Sequence, residues 1–115
     1  PFIRSNKIQQ HHSLSMYHLL HSLDSSRLVV SNDGWELTKT DICAIHNYNH
    51  GNKDETAKYE VFKEELLTKE NILKSQPAGR GIYANGFKNQ GEPILLTEFG
   101  GIGLKAGEDA GWGYT

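Results

Sequence analysis

Residues Glu92-Pro-Ile-Leu-Leu-Thr-Glu-Phe-Gly-Gly101 predict a buried strand that ends in an acidic side chain. Proline can open a strand but not sit inside one, so Pro93 marks the start and residues 94–96 form an apolar interior. A strand that is apolar on both faces is typical of a parallel sheet covered by helices. Glu98 then lies at the carboxyl end of the strand, where α/β proteins collect their chemistry. A glutamate that only caps the next segment would show the same pattern.

The composition is that of an ordinary globular domain. The chain has 115 residues and a formal net charge of −2, without a charge block that would bind nucleic acid. No apolar run approaches the roughly 20 residues of a membrane-spanning helix, so we expect no membrane partner. Cys43 is the single cysteine, which favours a reducing compartment and a cytoplasmic protein.

Apolar periodicity predicts two helices and two further strands. Ile8 to about Leu23 has apolar residues at helical spacing, and Lys53 to about Ser75 forms a second helix, rich in Lys and Glu. Residues 27–31 and 41–45 are short, apolar and partly β-branched, as buried strands are. Each of these strands, like the one before Glu98, ends in polar or aromatic residues.

Parallel strands that end at one edge of a sheet would bring these polar ends together. We therefore expect Trp35, His46, Tyr48 and Glu98 around one rim, which favours an active site over a purely structural sheet. Trp35 is either a platform for a sugar or an anchor of the core. His46 is either a ligand contact or a buried core histidine.

Histidines on the first helix raise the question of a metal site. His11, His18 and His21 lie on this helix, and the pair spaced by three residues could share one ion. Helical histidines more often face solvent, and no cysteine or carboxylate completes a set. The sequence therefore predicts neither a metal nor a cofactor.

Three segments resemble the family-two glycoside hydrolases, the relatives of β-galactosidase and β-glucuronidase. They are Arg27-Leu-Val-Val-Ser-Asn-Asp-Gly-Trp-Glu36, Asp41-Ile-Cys-Ala-Ile-His-Asn-Tyr48 and Pro93-Ile-Leu-Leu-Thr-Glu-Phe-Gly-Gly101. The likeness covers nearly the whole chain in order. It implies an α/β fold, a partial (β/α)8 TIM barrel from the helix after strand four through strand seven. Residues 1–115 would form a single segment from the C-terminal half of that catalytic barrel.

The resemblance also implies an activity and roles for single residues. It implies a retaining, β-galactosidase-like glycosidase acting on a β-linked sugar. Glu98 corresponds to the family's nucleophile, and Tyr48 to the tyrosine that hydrogen-bonds and orients it. Asn32, Trp35 and His46 are the expected sugar contacts.

Two departures from the family pattern bear on activity. The family's acid/base glutamate follows an asparagine, and this chain has no Asn-Glu pair. With the start at Pro1, this predicts a piece of a longer enzyme that is inactive alone, because one carboxylate cannot attack and protonate in the same step. Asp33 or Glu36 would be the acid if the isolated chain were active. Gly101 stands where the family's β-galactosidases carry a histidine, so galactose specificity is not implied.

Two further expectations concern the chain by itself. Strands without the rest of a barrel would leave apolar edges uncovered, so the isolated piece is expected to self-associate or else to be only loosely packed. The alternative to an enzyme is a non-catalytic α/β module, either carbohydrate-binding or regulatory and flavodoxin-like, in which Glu98 is only a rim residue. A flavodoxin-like sheet needs five strand–helix units, whereas this sequence predicts three strands.

Overall fold

A computed structural model describes residues 3–49 and 56–101, and the backbone of two short pieces, 105–106 and 109–110. The helices are α1 (Lys7–Leu23), α2 (Thr56–Leu66) and α3 (Lys69–Lys74), followed by a 3-10 turn at Pro77–Gly79. The strands are β1 (Cys43–Asn47), β2 (Ile94–Phe99), β3 (Lys105–Ala106) and β4 (Asp109–Ala110). β1 pairs with β2 in parallel, and β3 pairs with β4 in antiparallel orientation.

Helix α1 lies where the sequence predicts it, but a polar face packs inward. Asn6 caps its start by accepting a hydrogen bond from the Gln9 amide, as short polar side chains do at this position. The buried positions are Gln10, Ser13 and Tyr17. The leucines of the predicted apolar stripe are exposed instead, at positions 19, 20 and 23.

The single helix predicted from Lys53 to Ser75 is two helices in the described part of the chain. α2 ends at Leu66, and Thr68 starts α3 by accepting a hydrogen bond from the Asn71 amide at 3.1 Å. A capping side chain of this kind can divide one predicted helix into two, although the apolar residues keep their helical spacing in the sequence. Together the two helices connect β1 to β2, as parallel strands require.

One hydrophobic core joins the sheet to these helices. Leu37, Cys43, Ile45 and Ile82 form its buried centre. Side chains from the helices and β2 pack against that centre: Leu66, Ile72, Leu73, Ile94 and Leu96. One face of the β1–β2 sheet therefore packs against the helices.

The predicted partial TIM barrel is wrong. The residues that the structure describes hold one parallel sheet of two strands, β1 and β2. A single parallel bridge, between Leu37 and Tyr83, is the other parallel pairing in this part of the chain. The expected run of three barrel strands is not present there.

Residues 27–31, the first predicted strand, do not form a strand, and side chains accept hydrogen bonds from two of their backbone amides. The Val29 amide donates to the Asp41 carboxylate at 2.8 Å, and the Ser31 amide donates to the Thr40 hydroxyl at 3.3 Å. Local side-chain acceptors compete with a neighbouring strand for the same backbone groups. Leu28, inside the expected buried run, is 67% exposed.

No helix in the described residues is both long enough and apolar enough to cross a membrane.

Asp41 fastens α1 to the rest of the fold. Its carboxylate accepts hydrogen bonds from the Tyr17 hydroxyl at 2.6 Å and the Val29 amide at 2.8 Å, and it lies 2.6 Å from His21 Nε2. Partial burial alone would raise the pKa of Asp41, but the bonds from Tyr17, Val29 and His21 outweigh it and hold this pKa below its ordinary value. The hydrogen bond to Asp41, together with burial, raises the pKa of Tyr17 to about 12.

Asp41→Asn is expected to destabilise the protein by about 2 kcal/mol, since it replaces charge-assisted hydrogen bonds with neutral ones. Urea unfolding of the two proteins at neutral pH measures the difference. The matched control is Glu60→Gln, which changes an exposed carboxylate on α2 and should have little effect.

The contribution of Asp41 also depends on pH. Its folded-state pKa is lowered, so the stabilisation is complete above the ordinary aspartate value of about 4 and is lost as pH falls through the lowered value. The difference between the wild type and Asp41→Asn should therefore shrink in acid. A difference that stays constant from neutral pH to strong acid would contradict this role.

Candidate functional site

A shift in the β1–β2 ladder determines which way Glu98 points. Ile45 pairs with Leu96, but the next residue, His46, pairs with Glu98, so Thr97 is an extra residue in β2. Side chains alternate along a strand, and an unshifted ladder would place Glu98 on the core face with Leu96. The bulge places Glu98 beside His46 instead. Bulges next to functional sites commonly redirect a side chain in this way.

Glu98 receives two polar neighbours at one oxygen. The Tyr48 hydroxyl donates a hydrogen bond to Glu98 Oε2, and His46 Nδ1 lies 3.3 Å from the same oxygen. Half of the Glu98 side-chain surface is exposed, at 50%. The carboxylate is therefore oriented by the protein and still accessible to a ligand.

Asp33 occupies the other side of the His46 ring. His46 Nε2 lies 3.2 Å from Asp33 Oδ1, and the Thr97 hydroxyl donates a hydrogen bond to the same oxygen at 2.7 Å. The distance between Nε2 and Oδ1 is that of an ion pair, but Nε2 is a buried atom that makes no hydrogen bond. We therefore describe Nε2 and Oδ1 as a close contact and not as a hydrogen bond, because direction as well as distance defines a hydrogen bond.

Gly34 and Trp35 hold the His46 ring in place. Gly34 has φ +90°, and a Cβ at this position would lie 2.5 Å from His46 Cγ. The Trp35 ring meets His46 edge to face at 5.1 Å, and the Arg80 guanidinium lies 5.0 Å from the Trp35 ring centre. Trp35 is therefore a packing partner of His46, with a cation–π contact to Arg80.

The structure brings the expected rim residues together, and the difference concerns Asn32, one of the expected sugar contacts. His46, Tyr48 and Glu98 are neighbours, and Trp35 joins them through His46. Asn32 instead holds its own turn, where its amide donates to the Trp35 carbonyl at 2.7 Å.

Of the two acids considered for an active isolated chain, the structure brings only Asp33 to the site. Glu36 is 3% exposed, and its carboxylate accepts hydrogen bonds from the backbone amides of Ile3 and Arg4 at 2.8 and 3.2 Å. Glu36 therefore anchors the start of the chain.

Sequence reasoning missed the roles of Thr97 and Arg80. Thr97 lies inside a segment that reads as a regular strand, and the bulge has no signature in the apolar pattern. Arg80 lies between two glycines that only predict the end of a helix. The turn at Gly34 was the one available signal, since Asn-Asp-Gly clusters favour backbone with positive φ.

A scan against protein-family models and searches of curated proteins and solved structures gave no match for this chain. The resemblance to family-two glycoside hydrolases therefore depends on the three sequence segments.

Gly34→Ala is expected to destabilise the protein by about 3 kcal/mol. The added methyl must push the His46 ring aside, and alanine is strained at positive φ. Urea unfolding measures the loss, and NMR of the His46 ring reports its displacement.

Gly86→Ala separates the two causes. Gly86 has φ +89° and no atom within 4 Å of an added Cβ, so only the backbone cost of about 1 kcal/mol should appear. Equal losses in the two variants would mean that His46 does not rest on Gly34.

Proposed function

We propose that this chain supplies the nucleophile of a retaining β-glycosidase of family two, with Glu98 as the attacking carboxylate. The observation that carries the proposal is the hydrogen bond from Tyr48 to Glu98, between residues 50 positions apart. The sequence resemblance assigns these two residues, independently of the geometry, to the nucleophile and the tyrosine that orients it.

The chemistry follows from an exposed carboxylate held in one orientation. A Glu98 oxygen attacks the anomeric carbon of the sugar, the glycosidic bond breaks, and the leaving oxygen takes a proton from a separate acid. Water then hydrolyses the glycosyl ester and restores Glu98. Tyr48 orients the carboxylate, and Asn32, Trp35 and His46 are the proposed sugar contacts.

The acid that protonates the leaving group is proposed to lie outside these 115 residues. Asp33 is the carboxylate that the described residues place beside His46 and Glu98. Its Oδ1 accepts a hydrogen bond from the Thr97 hydroxyl at 2.7 Å, so this oxygen is already engaged within the protein. The isolated chain should therefore lack glycosidase activity.

The compartment is part of the same proposal. Cys43 is buried and free, and a lone thiol without a disulfide suits the reducing cytoplasm. We propose a cytoplasmic enzyme.

Trapping of the nucleophile tests the assignment in the full-length protein that contains these residues. 2-Deoxy-2-fluoro-β-glycosyl fluorides of galactose, glucose and glucuronic acid are suitable reagents, because fluoride leaves without an acid. Mass spectrometry should find one fluorosugar on the peptide that carries Glu98. Glu98→Gln should not be labelled, and Tyr48→Phe should be labelled about 100-fold more slowly, because the carboxylate is misplaced.

The control for the tyrosine is Tyr59→Phe, which removes a hydroxyl from the exposed face of α2 and should label at the wild-type rate. A fluorosugar on any other carboxylate would refute Glu98 as the nucleophile. Sugar binding without labelling by any of the three reagents would support the non-catalytic carbohydrate-binding module instead.

We also propose that the isolated chain self-associates. Large apolar side chains are exposed on α1, with Leu19 49% and Leu23 74% exposed, and on β2, with Leu95 46% and Phe99 65% exposed. Leu19 and Leu23 are four residues apart and therefore adjacent on the helix surface, and exposed apolar surface tends to be covered by a partner. Light scattering should give an apparent mass that rises with concentration and falls in the double variant Leu19→Lys/Leu23→Lys. A monomer at all concentrations would contradict the proposal.

A further inference from the structure

Three ligand groups converge at the end of the sheet. Asp33, His46 and Glu98 each offer one ligand atom, and these atoms lie within 4.8 Å of one another. Two carboxylates and one imidazole form a mixed oxygen and nitrogen donor set. Zn²⁺ and related transition-metal ions bind this combination, whereas Mg²⁺ and Ca²⁺ prefer oxygen alone.

The His46 nitrogen gives the second, independent observation. His46 is 8% exposed, and its Nε2 is a buried atom with no hydrogen-bond partner in the described residues. Buried polar atoms are normally satisfied, so an exception points to a missing ligand. Nε2 faces Asp33 Oδ1 at 3.2 Å, close to the separation of about 3.3 Å between two ligands of one tetrahedral Zn²⁺.

The charges of the carboxylates and their exposure to solvent also favour a metal site. Two ionised carboxylates near each other repel, and a divalent cation between them converts that repulsion into attraction. Thr97 fixes Asp33 by a hydrogen bond at 2.7 Å, the kind of outer contact that orients metal ligands. The Asp33 and Glu98 side chains are 56% and 50% exposed, so an ion can enter; Glu98 Oε2 lies 3.3 Å from Nδ1 and has to turn toward Nε2 to join the ion.

We propose that Asp33, His46 and Glu98 form a binding site for a divalent transition-metal ion of the Zn²⁺ type. This site joins three separate segments of the chain. It does not involve the histidines of α1 that were considered as metal ligands in the sequence. If the proposed function holds, an ion on Glu98 blocks attack on the sugar, so metal and substrate compete for one carboxylate.

Calorimetric titration with Zn²⁺ alone, on the same full-length protein that is used for the fluorosugar labelling, tests the site. We expect one tight equivalent, displaced weakly or not at all by Mg²⁺. Asp33→Asn and Glu98→Gln should each weaken the binding by about 10-fold or more, and Thr97→Val should weaken it by about 10-fold. Co²⁺ in place of Zn²⁺ should give visible absorption bands that the same variants lose.

The matched controls are His12→Gln and Glu70→Gln, which remove an exposed imidazole and an exposed carboxylate away from the site and should bind Zn²⁺ like the wild type. Unchanged affinity in Asp33→Asn and Glu98→Gln, or an equal loss in the controls, would overturn the proposal. Circular dichroism of each variant confirms the fold. The titration uses no sugar, and the fluorosugar labelling is run with EDTA, so either proposal can fail without the other.

Discussion

The candidate site depends on the register shift between Ile45 and His46. Before the shift, β1 and β2 turn paired apolar residues toward the helices, and after it they turn His46 and Glu98 to the opposite side. A two-stranded sheet has few positions to share between packing and chemistry. One inserted residue, Thr97, divides them, and its hydroxyl then also holds Asp33. The bulge thus couples the core of the protein to its polar cluster.

Short-range sequence patterns predicted the secondary-structure elements whose formation depends mainly on neighbouring residues. The apolar periodicity predicted the extent of α1, although a polar face of this helix packs inward, and Pro93 predicted the start of β2. The segment 27–31 has the composition of a strand, but Asp41, a dozen residues later in the chain, satisfies its backbone. A competition of this kind between a side chain and a neighbouring strand leaves no trace in an apolar pattern. The predicted barrel included this segment as a strand, and that prediction was wrong.

The residues of the candidate site also fall into those that the sequence predicted and those that it did not. His46, Tyr48 and Glu98 were found because each follows an apolar run, and parallel strands end at a common edge. The neighbours that define their chemistry come from elsewhere: Asp33 and Thr97 are 64 positions apart, and Arg80 reaches Trp35 from the turn after α3. Such contacts depend on how the segments pack, which no single stretch of sequence encodes.

The distance along the chain between the two strands has a consequence for the order of folding. Tyr48 and Glu98 are 50 positions apart, and closing so long a loop costs conformational entropy before any contact across the sheet repays it. Helix α1 needs only neighbouring residues and can form within about a microsecond. Helical turns can therefore form before His46 and Glu98 meet, and docking of β2 on β1 is the slower step in assembling the polar cluster.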